Sequence, residues 1–387
     1  MMGSMLRRGA ISGDGATLSL DFTTGVLDPL LTFSRSSSGT YLGADGLVKT
    51  AGTNVARFEY DSNGNPLGLL LEGGGTNLLA HTERLDDPQV STEQYWITTY
   101  TITGTTNGIT GPDGVANSAT QFAPIGGNGT CIASAAMGTS AQRSFSFWAR
   151  NTGGTANLEY TLDNGASWVA VTTTSSWQRF RIAATTAAQR VGFRFAVNNI
   201  YEIWGCQLEA GANHTSFIKN VSAAGGASRA QENCRLTGTA LSGLITQGVG
   251  TVVIKARQVQ KRISHFLNLN TANAAPRITL LSDGTTAQLW IENPAGTYQV
   301  SSLGGFNYTA NVAFKAAYRY ADNNTAICFN GGAVSADTVC TMPTGLTVMQ
   351  IAAAEGATPY QHLHGHIESI KYWPEAKTNS ELQALST

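Results

Sequence analysis

The chain has 387 residues, with 24 Lys and Arg against 25 Asp and Glu for a net charge of -1; only 13% of residues are charged, and 43 are glycine. Near neutrality offers no counterion-release term for nucleic acid and no basic patch for anionic lipid, so neither is an expected partner. Scarce Lys, Glu and Arg argue against helical surfaces, and polar positions filled by Thr, Ser, Asn and Gly read as strands joined by tight turns.

The opening Met1-Met2-Gly3-Ser4-Met5-Leu6-Arg7-Arg8 lacks the apolar stretch of a secretory signal, and no apolar run approaches the ~20 residues that span a bilayer. Synthesis in a cytoplasm without membrane insertion is expected. Strand-like alternation marks Ser144-Phe145-Ser146-Phe147-Trp148-Ala149, the run 191–197 and Ala287-Gln288-Leu289-Trp290-Ile291-Glu292. Pairs such as Asp45-Gly46, Asn63-Gly64, Asn164-Gly165 and Asp283-Gly284 separate the runs and suit hairpin turns. The fold is predicted to be all-β. Junctions at Asp86-Asp87-Pro88 and at 222–228 divide it into a small N-terminal β module at 1–80 and two sandwich-sized parts at 81–228 and 229–387. A capping box, Thr378-Asn379-Ser380-Glu381, predicts a short C-terminal helix with Leu382 and Leu385 on its apolar edge. Cys131, Cys206, Cys234, Cys328 and Cys340 are odd in number and widely spaced, so buried free thiols are expected.

Several motifs run in a fixed order. Phe33-x-Arg35-x-Ser37 is followed by Gly39-Thr40-Tyr41, Asp45-Gly46-Leu47-Val48, Asn54-Val55-Ala56-Arg57-Phe58-Glu59-Tyr60-Asp61, Gly68-Leu69-Leu70-Leu71-Glu72 and Thr76-Asn77-Leu78-Leu79. Then come Trp204-Gly205-Cys206-Gln207-Leu208-Glu209-Ala210-Gly211, Thr215-Ser216-Phe217-Ile218, Arg229-Ala230-x-Glu232, and Leu363-His364-Gly365-His366-Ile367-Glu368 running on to Tyr372-Trp373-Pro374. This pattern resembles the tail fibre and other receptor-binding tail proteins of bacteriophages. The resemblance implies a carbohydrate-binding-module-like jelly roll at 81–228 and a concanavalin A-like, laminin-G-type sandwich at 229–387. It also implies a homotrimer in the virion tail or fibre, assembled in the host cytoplasm, with other virion proteins and host surface polysaccharide as partners.

Catalysis is not expected. Sandwich glycosidases set two acids at ~5–9 Å on one strand face, whereas Glu202 with Glu209 and Glu368 with Glu375 are seven apart and change face. The triplet His362, His364 and His366 would share a strand face and is the one candidate metal stripe; a structural role is preferred, at least for His366 inside its motif. Asp21, Asp28, Asp45, Asp61, Asp113, Asp163 and Asp283 mostly sit in turns, where a carboxylate can join backbone carbonyls around a structural calcium, although plain turn formation is the usual reading. No cofactor is expected.

Sugar rings stack on exposed aromatic faces, so strand parity selects binding candidates. Phe145, Phe147 and Ala149 share one face, which leaves Trp148 beside Ser144, Ser146 and Arg150 on the other. Leu289 and Ile291 point inward, which leaves Trp290 with Gln288 and Glu292. Trp168 follows the Asn164-Gly165 turn. Trp148, Arg150, Trp168 and Trp290 are therefore the candidate glycan contacts; Trp204 reads as core, and Trp177 suits either role. The expected function is a non-catalytic adhesin for host glycan, with a structural virion connector and then a polysaccharide depolymerase as alternatives.

Overall fold

The structure, a computed structural model, describes residues 14–85, 95–99, 104–105, 108–133, 142–187, 190–211, 213–222, 226–271, 275–354 and 361–387. The opening segment through residue 13, the Asp86-Asp87-Pro88 junction and residues 223–225 of the second junction lie outside them. Antiparallel sheets dominate, as the alternation predicts. The chain forms two compact units. Unit 1 holds the chain up to Ser38, Ala51–Gly74 and Ala230–Thr387; unit 2 holds Gly39–Thr50 and Gly75–Arg229.

Unit 1 is a sandwich of an eight-stranded and a seven-stranded sheet. The first centres on Val249–Gln258 and Gly365–Trp373. The second runs in the order Thr32–Ser34, Asn233–Thr237, Val348–Ile351, Ile263–Asn270, Arg277–Asp283, Ala287–Glu292, Tyr298–Phe306. Alternate residues of the two inner faces, among them Val252, Ile254, Ile367, Leu267, Leu269, Leu289 and Ile291, close one core, as a period of two requires. The helix Asn379–Ser386 begins with the predicted capping box, and Leu382 is buried with Ala317, Ala326 and Trp373.

The N-terminal residues do not form the separate module that 1–80 was expected to be. Leu18–Asp21 and Pro66–Leu71 both pair with Gly365–Trp373, Arg57–Tyr60 extends that sheet, and Thr32–Ser34 pairs with Asn233–Thr237. Residues 39–50 belong to unit 2. Strands of three to six residues cannot bury a face by themselves, so they complete the sheets of larger sandwiches.

The motif charges of the N-terminal segment meet inside unit 1. Arg35, Arg57, Glu72 and Glu232 are all buried. Arg35 donates to Glu232 at 2.7 Å, and Arg57 donates to Glu232 at 2.8 and 2.6 Å and to Glu72 at 2.8 Å. The backbone N–H of Glu72 adds a bond to Glu232 at 2.9 Å. Burial opposes the charged form of Arg57, but Glu232 and Glu72 outweigh it and raise the guanidinium above its ordinary value.

Unit 2 is a smaller sandwich of two five-stranded sheets. One runs Gln178–Ala187, Gln142–Gly153, Ile200–Ala210, Thr120–Phe122, Gly104–Thr105; the other runs Val169–Val171, Leu158–Thr161, Gly192–Phe195, Gly129–Ala133, Trp96–Thr99. Phe145, Phe147 and Ala149, the face that parity set opposite Trp148, lie in its core with Phe193, Phe195, Ile203 and Leu208. Motif residues fasten the segment after Ile200–Ala210. Gln207 accepts from Ile218 N at 2.6 Å, Glu209 accepts from Thr215 N at 2.9 Å and Thr215 Oγ1 at 2.7 Å, and Asn77 donates to the Cys206 and Ile218 carbonyls at 3.0 and 2.9 Å. All five cysteines are buried and none forms a disulfide, matching the thiol expectation.

Candidate functional site

The sheet face of unit 2 that points away from its main core carries the first aromatic candidates. Trp148 does sit opposite Phe145 and Phe147, yet it is not an exposed platform: it is buried against Val48, Ala119, Trp204 and Phe217. Its ring meets Trp204 edge-on at 5.0 Å and 78° and Phe217 at 5.7 Å and 77°, and the Arg179 guanidinium lies 4.4 Å from its centroid. Gly205 makes this possible. It has a φ of 65°, and a Cβ there would stand 2.8 Å from the Trp148 ring. Parity assigned the face correctly; the cover comes from segments far away in sequence, with Thr40 Oγ1 bonded to the Phe217 carbonyl at 2.6 Å.

Arg150 lies against an indole, but the indole is that of Trp177 and not of Trp148. The guanidinium lies 4.7 Å from the Trp177 centroid, and Glu202 fixes it with contacts of 2.6 Å from Nε and Nη2. Gln121 Nε2 donates to the other oxygen of Glu202 at 3.2 Å. Trp177 is half-buried and the Arg150 side chain is 26% exposed, so this cluster reaches solvent while its carboxylate anchor, 5% exposed, does not. Trp177 was legible as a candidate only through its position at a strand start, which left both roles open.

The opposite sheet of unit 2 repeats the arrangement around Trp168. Asn164 and Gly165, with φ of 62° and 85°, form the predicted turn, and the half-buried Trp168 follows it. Arg194 lies 5.0 Å from the Trp168 centroid and forms a forked pair with Glu159 at 2.5 and 2.8 Å. That hydrogen bonding raises the Arg194 guanidinium above its ordinary value. Cross-strand pairing sets Arg194 beside Glu159 on one side and Thr130 on the other, on the face opposite Phe193 and Phe195. No sequence motif marked Arg194 or Glu159, which are brought together by register alone.

Trp290 belongs to unit 1. Leu289 and Ile291 are in the core as expected, and the half-buried Trp290 meets Tyr298 edge-on at 4.8 Å and 89°. The companions that parity gave it, Gln288 and Glu292, are buried rather than exposed, and Glu292 pairs with Arg277 at 2.7 Å.

The three histidines do not share a strand face. The strand starts at Gly365, and His364 has a φ of 49°, so the extended spacing needed for a stripe is broken between them. His364 Nε2 accepts from Gly73 N at 3.2 Å, and His366 bonds Glu59 at 2.7 Å. Among the described residues no group of three His, Cys, Asp or Glu side chains is placed to hold a metal ion. The turn aspartates spend their oxygens on backbone: Asp21, Asp28, Asp45, Asp61, Asp113 and Asp283 each accept the N–H two residues on, and Asp163 accepts from Ser167 N. The acids weighed for catalysis are also engaged. Glu368 pairs with Lys255 at 2.6 Å and Glu375 with Lys377 at 2.7 Å, while Glu202 and Glu209 are held as described.

No known protein family and no curated protein matches the chain. Solved structures match parts of it. The carbohydrate-binding CBM40 domain of the Ruminococcus gnavus IT-sialidase, bound to α2,3-sialyllactose, is 16% identical with a TM-score of 0.31 over 38% of this chain and 86% of that one. Domain 4 of the GH43 arabinanase AbnA from Geobacillus stearothermophilus, in complex with arabinotriose, is 15% identical with a TM-score of 0.32 over 46% and 84%. A pentraxin from Limulus polyphemus is 12% identical with a TM-score of 0.30 over 36% and 70%.

Proposed function

We propose that this chain is a phage tail-associated receptor-binding protein, assembled as a homotrimer, that recognises host surface glycan without cleaving it. The observation that carries the glycan reading is the Trp177, Arg150 and Glu202 cluster. A flat apolar ring suits the CH face of a sugar, and a guanidinium and carboxamide held beside it suit its hydroxyls. Locking Arg150 to a buried carboxylate orders those groups before any ligand arrives, which lowers the entropy lost on binding. Trp168 with Arg194 and Glu159 repeats the same chemistry. The placing in a phage tail rests on the ordered motifs, and multivalence would turn weak single contacts into adhesion. The absence of catalysis is supported by the ion pairs and hydrogen bonds that occupy Glu202, Glu209, Glu368 and Glu375.

A bacterial polysaccharide array tests the reading. The chain is expected to retain a subset of neutral polysaccharides, and Trp177→Ala is expected to weaken that retention at least tenfold with unchanged thermal unfolding. Retention of none would favour a virion connector, and release of reducing ends would favour a depolymerase. A stable monomeric mass in solution would remove the trimer.

A further inference from the structure

Among the tryptophans of unit 2, Trp96, Trp148 and Trp204 are buried, whereas Trp168 and Trp177 reach solvent. Both that reach solvent carry an arginine against the ring, Arg194 at 5.0 Å and Arg150 at 4.7 Å from the centroid. Each arginine spends the same two nitrogens, Nε and Nη2, on a glutamate directly across from it on the next strand, Arg194 on Glu159 and Arg150 on Glu202. That fork leaves Nη1 of each guanidinium for a ligand.

Strand parity sets the two trios on opposite outer faces of the sandwich. Arg194 lies between the core residues Phe193 and Phe195, and Glu159 between Leu158 and Tyr160. In the other sheet Arg150 follows the core residue Ala149, and Glu202 lies between Tyr201 and Ile203. Each trio therefore points away from the shared core, from its own sheet. Stacked sheets are about 10 Å apart, and both trios lie outside that layer, so a short oligosaccharide seated on one does not touch the other. Gly165 lets the Trp168 ring lie close on its face: with a φ of 85°, its missing Cβ would stand 3.2 Å from the indole and 3.5 Å from Ile132 Cδ1.

The trios are accessible and carry no net charge. The side chains of Arg194 and Glu159 are 35% and 30% exposed, and that of Arg150 is 26% exposed. An acidic sugar gains little from a guanidinium already paired with a carboxylate. The hydroxyls of a neutral sugar accept from Nη1 and donate to a carboxylate oxygen, while its CH face lies against the indole.

We infer that unit 2 is divalent: it takes two neutral saccharides at once, one on Trp177, Arg150 and Glu202 and the other on Trp168, Arg194 and Glu159, and so holds two glycan strands on opposite faces of one chain. The inference rests on the glycan reading above and adds the number of sites and their independence. Neither site needs a second subunit, so this valence belongs to the single chain, apart from any avidity that assembly adds.

The test titrates the full chain with maltotriose, cellotriose, laminaritriose and triacetylchitotriose, followed by calorimetry and by NMR of the Trp168 and Trp177 indole N–H resonances. At least one probe is expected to shift both resonances saturably, with two equivalents bound per chain. Trp168→Ala is expected to keep the Trp177 shift and one equivalent, and Trp177→Ala the converse. Arg194→Gln, which keeps the ring, is expected to lower affinity at least fivefold at the Trp168 site alone. One equivalent, with only the Trp177 resonance moving, would overturn the divalence and leave the glycan reading standing. Two equivalents persisting in either alanine variant would seat the sugars elsewhere and overturn the inference. No movement of either indole with any probe would overturn both.

Discussion

Arg57 donates from Nε and Nη2 to both carboxylate oxygens of Glu232, a residue 175 positions later, with neither side chain exposed to solvent. Arg35 and Glu72 complete a group of two cations and two anions with no net charge. Such a group is stable as a whole and vulnerable to the loss of any one member. Glu232→Gln would leave two buried guanidinium groups facing one carboxylate. A stability loss of about 3–5 kcal/mol is expected for breaking a buried pair in this way, read by urea denaturation. Replacement of Arg57 by Lys should not rescue the fold, because a single ammonium cannot reproduce the forked contact. A loss under 1 kcal/mol in Glu232→Gln would show that water reaches the group.

Gly205→Ala combines two penalties at one position. A φ of 65° is unfavourable for any residue with a Cβ, and that Cβ would lie 2.8 Å from the Trp148 ring. The expected cost is about 1–3 kcal/mol from backbone strain alone, with a rearranged Trp148 signal in near-ultraviolet circular dichroism. An unchanged spectrum would mean that the ring shifts without consequence.

Acid should weaken the protein through two buried histidines. Burial first, and then Arg277 and His362, push His265 down to about 3; burial first, and then Arg179 and Arg181, push His214 down to about 3. Both remain neutral in the folded chain at a pH where the unfolded chain, with an ordinary value near 6.5, has taken up protons. Folding stability is therefore complete above about pH 6.5 and falls as the pH drops toward 3, by at most about 1.4 kcal/mol per pH unit per site. Denaturation midpoints at pH 7, 6 and 5 should fall in that order, and His265→Gln should flatten the slope. Equal slopes in both proteins would remove His265 from the account.

Much of the fold was legible because strand periodicity is a local property. The alternation over Ser144 to Ala149 separated Phe145 and Phe147 from Trp148, and the structure keeps that division. The capping box was legible for the same reason, since Thr378 and Glu381 answer each other within one turn. What covers a face was not. Trp148 lost its exposure to Val48 and Phe217, Arg150 found Trp177 instead, and Arg194 met Glu159 through register that no local pattern encodes. The histidine spacing failed at one backbone angle, the positive φ of His364. The motif residues that carried the resemblance bond mostly to one another, as Arg57 with Glu232 and Asn77 with Ile218 do, so they report how the chain folds more than what it holds.

The pairing of Leu18–Asp21 with Gly365–Trp373 has a bearing on synthesis. A ribosome delivers the first of these strands long before its neighbour, and Pro66–Leu71 waits for the same late strand. Unit 1 thus depends on contacts between the far ends of its sequence, the arrangement that slows folding most. A nascent chain stalled before residue 365 would hold both early strands with open edges, exposed to any helper protein, protease or sister chain that reached them first.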